Sequence, residues 1–138
     1  MELRPHHLVC LPRYYRGGYD KRSSENNRRI CNHIRTKPTS KFKLIMGCDD
    51  VCSKCPHMKD GLCRKTSEIN KWIKKQDSDI ISLLKMRPDT SYTFRNAFNI
   101  SIEKITNKEL KTVCKGCEFL NSCLKWGVNN SFRKDIDR

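Results

Sequence analysis

The amino-acid sequence predicts a mainly α, single small domain with one or two short strands, and three observations predict it. Apolar residues return at helical spacing in Ile69, Trp72, Ile73, Ile80, Ile81, Leu83 and Leu84, and again in Phe94, Phe98, Ile102 and Ile105. A chain of 138 residues with 36% hydrophobic content has room for one modest core. Most of the nine cysteines fall in two knots: Cys48, Cys52 and Cys55 with Cys63, and Cys114 and Cys117 with Cys123. Each knot holds a Cys-x-x-Cys pair and a later cysteine. Two thiolates so spaced close on one metal where the backbone between them turns tightly, and Gly116 supplies that freedom. The domain is therefore expected to be organised around two cysteine-rich metal sites.

The elements follow in order. Leu3-Arg-Pro-His-His-Leu-Val-Cys10-Leu11 reads as a short helix with Pro5 in its first turn, which sets His6 and Cys10 on one face. That pair reaches one metal, or Cys10 does so alone with a histidine bonded to its sulfur; the plain alternative is that Cys10 is core. Arg13-Tyr-Tyr-Arg16-Gly-Gly-Tyr19 reads as a structural turn by its glycines. Ser23 or Ser24 is expected to cap a helix to about Arg35, with Cys31 in the core and His33 at the surface. Lys37-Pro-Thr-Ser breaks it, and Lys41-Phe-Lys-Leu-Ile-Met46 is a short strand leading into the first knot. Asp49 and Asp50 are expected to cap the turn that follows.

After Cys63, Ser67 is placed to cap the long apolar helix, which Asp77-Ser-Asp79 splits or interrupts before Arg87-Pro88 ends it. Thr106-Asn-Lys-Glu109 is a capping box whose short helix presents Cys114. A last helical turn through Phe119, Leu120, Leu124 and Trp126 closes at Gly127. Residues 1–127 are thus assigned to a single metal-binding domain, and 128–138 to a polar, basic, frayed tail.

Charge and composition narrow the partners. The formal charge is +14, from 29 Lys and Arg against 15 Asp and Glu. Two four-thiolate sites around dipositive cores would each add about two negative charges, leaving roughly +10. That remainder favours an acidic protein redox partner or a nucleic acid, although a solvated basic surface needs neither. Met-Glu-Leu-Arg-Pro-His-His lacks the apolar core of a signal peptide, and no apolar run reaches membrane-spanning length. A cytoplasmic protein with no membrane segment is expected, in which clustered cysteines are ligands and not disulfides.

The opening Leu-Arg-Pro-His-His-Leu-x-Cys, the Gly-Gly-Tyr turn, Asp50-Val-Cys52-x-x-Cys55-Pro-His57, Cys63 and the final Cys-x-x-Cys together resemble the domain-of-unknown-function 1284 family. The resemblance implies a small prokaryotic iron–sulfur-binding protein. It puts weight on His6, His7, Cys10, Cys52, Cys55, His57, Cys63, Cys114, Cys117 and Cys123, with Cys48 and Cys31 as extras. The chain departs from the family pattern at Ser23 and Asn27, where apolar residues would be expected.

The last knot is also similar to the final three ligands of the cluster loop in endonuclease III type glycosylases, but Asn107 stands where that loop has its fourth cysteine. Cys48-x3-Cys52-x2-Cys55 has the spacing of radical S-adenosylmethionine enzymes, in a chain too short for the usual barrel.

Three closely spaced cysteines with a remote fourth favour one or two iron–sulfur clusters, of [4Fe–4S] type, with zinc as the alternative. The knots supply three ligands each, and Cys10, Cys48 and His57 are the candidates for the missing two. Cys10 is the natural choice. The functions in view are a cluster protein in electron transfer, a zinc-stabilised nucleic-acid-binding module using Arg13-Tyr-Tyr-Arg16, and a small cluster-dependent enzyme.

Overall fold

The computed structural model describes residues 1–13 and 19–138; the rest of the turn expected around Tyr14–Gly18 lies outside the described residues. Among these, seven α-helices surround a small sheet. The sheet has three strands in the order β1 (Glu2–Leu3), β2 (Lys41–Leu44), β5 (Thr90–Thr93), and β3 (Met58–Lys59) pairs with β4 (Leu62–Cys63) in a separate hairpin. β1 runs parallel to β2, with Leu3 opposite Leu44, and β5 runs antiparallel, with Thr93 opposite Lys41. The alternation of Phe42 and Leu44 inward with Lys41 and Lys43 outward makes β2 the sheet's centre.

There are more strands than the one or two expected. The additional hairpin turns on Asp60 and Gly61, at φ 54° and 74°. Two successive left-handed residues match the twist of the flanking strands. The Asp-Gly pair is the sequence signal for it.

The helices are α1 (Pro5–Cys10), α2 (Lys21–Thr36), α3 (Ile69–Leu84), α4 (Phe94–Lys104), α5 (Asn107–Val113), α6 (Leu120–Trp126) and α7 (Asn130–Ile136). The capping box of α5 forms as expected, Thr106 and Glu109 bonding each other's backbone N–H. The cap of α2 differs: Asp20 accepts from Ser23 N at 2.8 Å while Ser23 Oγ accepts from Asp20 N at 3.0 Å, so Ser23 sits one turn inside the helix. Ser67 caps nothing, since α3 begins after Glu68 without a side-chain cap.

α3 is also unbroken through Asp77-Ser-Asp79, because Asp77 is fully buried against groups from the N-terminus. A second correction concerns the C-terminus. Residues 128–138 are no frayed tail: Asn129 caps α7, Phe132 and Ile136 are buried, and Arg35 Nε pairs with Asp135 at 2.6 Å. Phe132 and Ile136 lie four residues apart on one helix face, so the segment closes the core.

That core joins the sheet to α1, α2, α4 and α7. Phe42 stacks on Phe94 at 5.3 Å, and Phe98 meets Phe132 edge-on at 5.2 Å. No helix among the described residues is long and apolar enough to cross a membrane.

Candidate metal centres

α1 brings the N-terminus to both knots. Its last residue, Cys10, lies beside the second knot, where charge on Cys114, Cys117 or Cys123 would raise the Cys10 pKa. Burial is the larger cause of that rise, and Arg13 opposes it. The second knot is built by the end of α5 and the start of α6. Cys114 N bonds Leu110 O at 2.9 Å, and Cys117 N bonds Cys114 O at 2.9 Å across Gly116, which sits at φ 89°. Side-chain-bearing residues rarely take that conformation.

Burial, then Cys117 and Cys123, push the Cys114 thiol up to about 11, while Gln76, whose Nε2 lies 3.6 Å from the sulfur, opposes the rise. Cys123 is likewise raised by burial and by Cys117. Cys10 at the end of α1, Cys114 and Cys117 between α5 and α6, and Cys123 in α6 are thus a quartet of thiols within electrostatic reach of one another.

Beside the quartet lies Arg13, 6% exposed. Its terminal nitrogens donate to Val9 O at 2.9 Å and Ile105 O at 2.6 Å, but Nε is buried with no hydrogen-bond partner among the described residues. No described carboxylate pairs with it. Burial lowers its pKa, and the groups that oppose this are the thiols of Cys10, Cys123 and Cys114. A buried cation with no carboxylate partner among the described residues, set beside thiols that become anionic on binding a metal, fits a centre of negative charge.

The first knot is built differently. Its inner half, Cys48 and Cys52, faces Arg4, whose Nη1 lies 3.9 Å from each sulfur. Arg4 Nε donates to Asp77 Oδ2 at 2.8 Å, and Asp77 Oδ1 meets His6 Nδ1 at 2.8 Å. Burial works against the charge of Arg4, yet Asp77 and Cys52 hold its pKa above the usual value. Asp49, fully buried, accepts from Arg4 N at 2.7 Å and Cys52 N at 3.1 Å and meets His7 Nδ1 at 2.6 Å. Burial pushes its pKa up, but these partners win and hold it at about 2. So Asp49 caps the turn into Cys52 as expected, while Asp50 instead accepts from Glu2 N at 2.8 Å. Among the described residues, His7, Asp49 and Cys52 are a group whose ligand atoms all lie within 4.8 Å of one another.

The outer half, Cys55 and Cys63, lies at the β3–β4 hairpin. Burial raises the Cys55 pKa, Cys63 adds to the rise, and the backbone N–H groups of His57 and Met58 oppose it. Asn70 of α3 grips Cys63 from both sides, donating to its carbonyl at 2.6 Å and accepting from its N–H at 3.1 Å. His57 packs against the Tyr19 ring at 4.5 Å, and the Tyr19 hydroxyl donates to Glu118 at 3.0 Å, which ties the hairpin to the second knot. Lys65 pairs with the same carboxylate.

The structure thus places Cys10 within electrostatic reach of Cys114, Cys117 and Cys123, sets Cys48 and Cys52 on one guanidinium, and sets Cys55 within reach of Cys63. It does not put His6 on Cys10: α1 turns His6 onto Asp77, and burial, with His7 adding, lowers its pKa to about 4. His7 serves the first knot. Cys31 packs at the edge of the core, where burial pushes its thiol up to about 11. All nine cysteines are free thiols. Asp77, Arg4 and Asn70 were missed by sequence reasoning; the signal for Asp77 was an acid set among inward-facing residues of an apolar helix.

The profile of the family described as "Protein of unknown function (DUF1284)" matches residues 18–123 of the chain. The chain belongs to that family. The matched stretch holds both knots of the domain-of-unknown-function 1284 pattern, whereas α1, with His6, His7 and Cys10, precedes it. No curated protein and no solved structure matches the chain.

Proposed function

We propose that this protein is an iron–sulfur protein whose cluster, of [4Fe–4S] type, is held by Cys10, Cys114, Cys117 and Cys123. The observation that carries the reading is Arg13, a buried guanidinium whose Nε has no partner among the described residues and which lies beside the thiols of Cys10, Cys114 and Cys123. An anionic cluster compensates it where no carboxylate does.

The ligand spacing supports a cluster over zinc. Structural zinc usually takes two separate pairs of ligands. Cys114, Cys117 and Cys123 are three closely spaced cysteines with Cys10 as a remote fourth, the pattern common around iron–sulfur clusters. Bound there, such a cluster supplies one-electron chemistry. Arg13 and the Gln76 amide on Cys114 would stabilise its reduced form. Exposed Lys54, Lys59, Lys115 and Lys125 around the knots suit an acidic partner protein, which association at low and high salt tests.

The deciding experiment is purification without oxygen. The protein is expected to be brown, to contain iron and inorganic sulfide, and to bleach on reduction. Stoichiometric zinc without sulfide would overturn the reading. Cys10→Ala is expected to deplete the cluster while Cys31→Ser keeps it; full loading with an unaltered spectrum in Cys10→Ala removes Cys10 from the ligand set.

A further inference from the structure

The two histidines of α1 have their Nδ1 atoms committed to separate buried acids, and their rings lie 4.2 Å apart. The His7–Asp49 contact fixes the chemistry of the ring. Nδ1 faces the Asp49 side chain at 2.6 Å, so Nε2 is the ring nitrogen left for a metal. Asp49 itself has little left to offer. Its two oxygens already face three N–H groups, from Arg4, Cys52 and His7, so it orients the imidazole and does not ligate.

What stands beside that imidazole is Cys52, and Cys48 shares the Arg4 guanidinium with it. We propose that His7 Nε2 and the thiolates of Cys48 and Cys52 form a Cys2His site for a single divalent ion of zinc type, with Asp49 as the positioning residue behind the histidine.

Three arguments support one ion here. Ligand bonds of about 2.0–2.3 Å need donor atoms roughly 3.5–3.8 Å apart; a ring nitrogen of His7 and the Cys52 sulfur already lie within 4.8 Å of each other, and Cys48, which shares Arg4 Nη1 with Cys52 at 3.9 Å, has to swing in to join them. Thiolate and imidazole together suit zinc better than calcium or magnesium. Charge is also accommodated: two thiolates formed on binding would match a dipositive ion, Asp77 pairs with Arg4, and Asp49 keeps its own charge against the N–H groups of Arg4, Cys52 and His7. A nucleophilic Cys52 with His7 as its base is the rival. Two surface grooves, along α2 and the C-terminal segment and both lined by Asn32 and Arg35, share no residue with this group. The site shares no ligand with the cysteine quartet, so it stands or falls separately from the cluster reading.

The test uses the full chain purified without oxygen and then equilibrated with zinc. The unaltered protein is expected to hold one zinc per chain that His7→Ala loses, with iron and sulfide unchanged. Asp49→Asn is expected to keep the site but weaken zinc binding about 10- to 100-fold. Should His7→Ala fold poorly, cadmium-loaded unaltered protein decides, with nuclear spin coupling expected between cadmium and one histidine Nε2. Undiminished zinc binding in folded His7→Ala, or cadmium coupled to no histidine Nε2, overturns the proposal. So does His7-dependent alkylation of Cys52 that excess zinc fails to slow, which would establish the nucleophile instead.

Discussion

The two knots share a sequence signature and differ in how the protein balances charge around them. At the first, the cation Arg4 is paired with buried Asp77, and buried Asp49 anchors Arg4 N, Cys52 N and His7. At the second, Arg13 is equally buried but has carbonyls for partners and, among the described residues, no acid. The first knot is therefore electrostatically closed by side chains. The second is closed only when the sulfurs, or what they hold, are negative. A Cys-x-x-Cys spacing by itself does not distinguish the two; the neighbours brought from α1 and α3 do.

Substitutions of the two arginine environments break this contrast most directly. Asp77→Asn strands Arg4 as an uncompensated buried charge and is expected to cost about 3–5 kcal/mol in both metal-free and loaded protein, read from urea melts of each. Arg13→Met is expected to do the opposite in the metal-free chain, leaving it unchanged or more stable by about 1–4 kcal/mol. In loaded protein the same change should make the cluster harder to reduce, read as a more negative midpoint potential. Equal destabilisation of metal-free protein by both variants would erase the distinction.

Smaller effects sharpen it. Asn70→Ala removes the clamp on Cys63 and is expected to cost about 1–3 kcal/mol, while the quartet's iron content stays constant by metal analysis. Cys31→Ser is expected to be the mildest, changing stability by about 1 kcal/mol and leaving metal content as it was, because its thiol touches only the edge of the core.

What the sequence showed and what it hid follow from the range of the interactions. Helices α3 and α4, strand β2 and the capping box at Thr106 and Glu109 rest on local periodicity and on contacts three residues apart, so they were legible. Asp77 was misread as an interruption because Asp is a weak helix former taken alone. Its partners Arg4 and His6 lie 73 and 71 residues away, and no local pattern announces them. Buried Asn26 in α2 is a similar case, since its amide donates to Asp50 O at 2.9 Å and ties the helix to the first knot. The C-terminal helix was hidden by its charges, although Phe132 and Ile136 at helical spacing were there to be read. Of the site, the cysteines were plain; which of them meet depended on the course of α1.

That course has a consequence for how the molecule is made. α1 spans six residues, yet it faces Cys48, Cys52 and Asp77 on one side and Cys114 to Cys123 on the other. During synthesis α1 is made before these partners, which then appear in a fixed order. The first knot's inner half is complete once Cys52 has emerged. Asp77 comes next and locks Arg4 and His6, and only then do Cys114, Cys117 and Cys123 arrive for Cys10. Until that last arrival Cys10 is a thiol without its partners, so the quartet cannot assemble before Cys123 has been made.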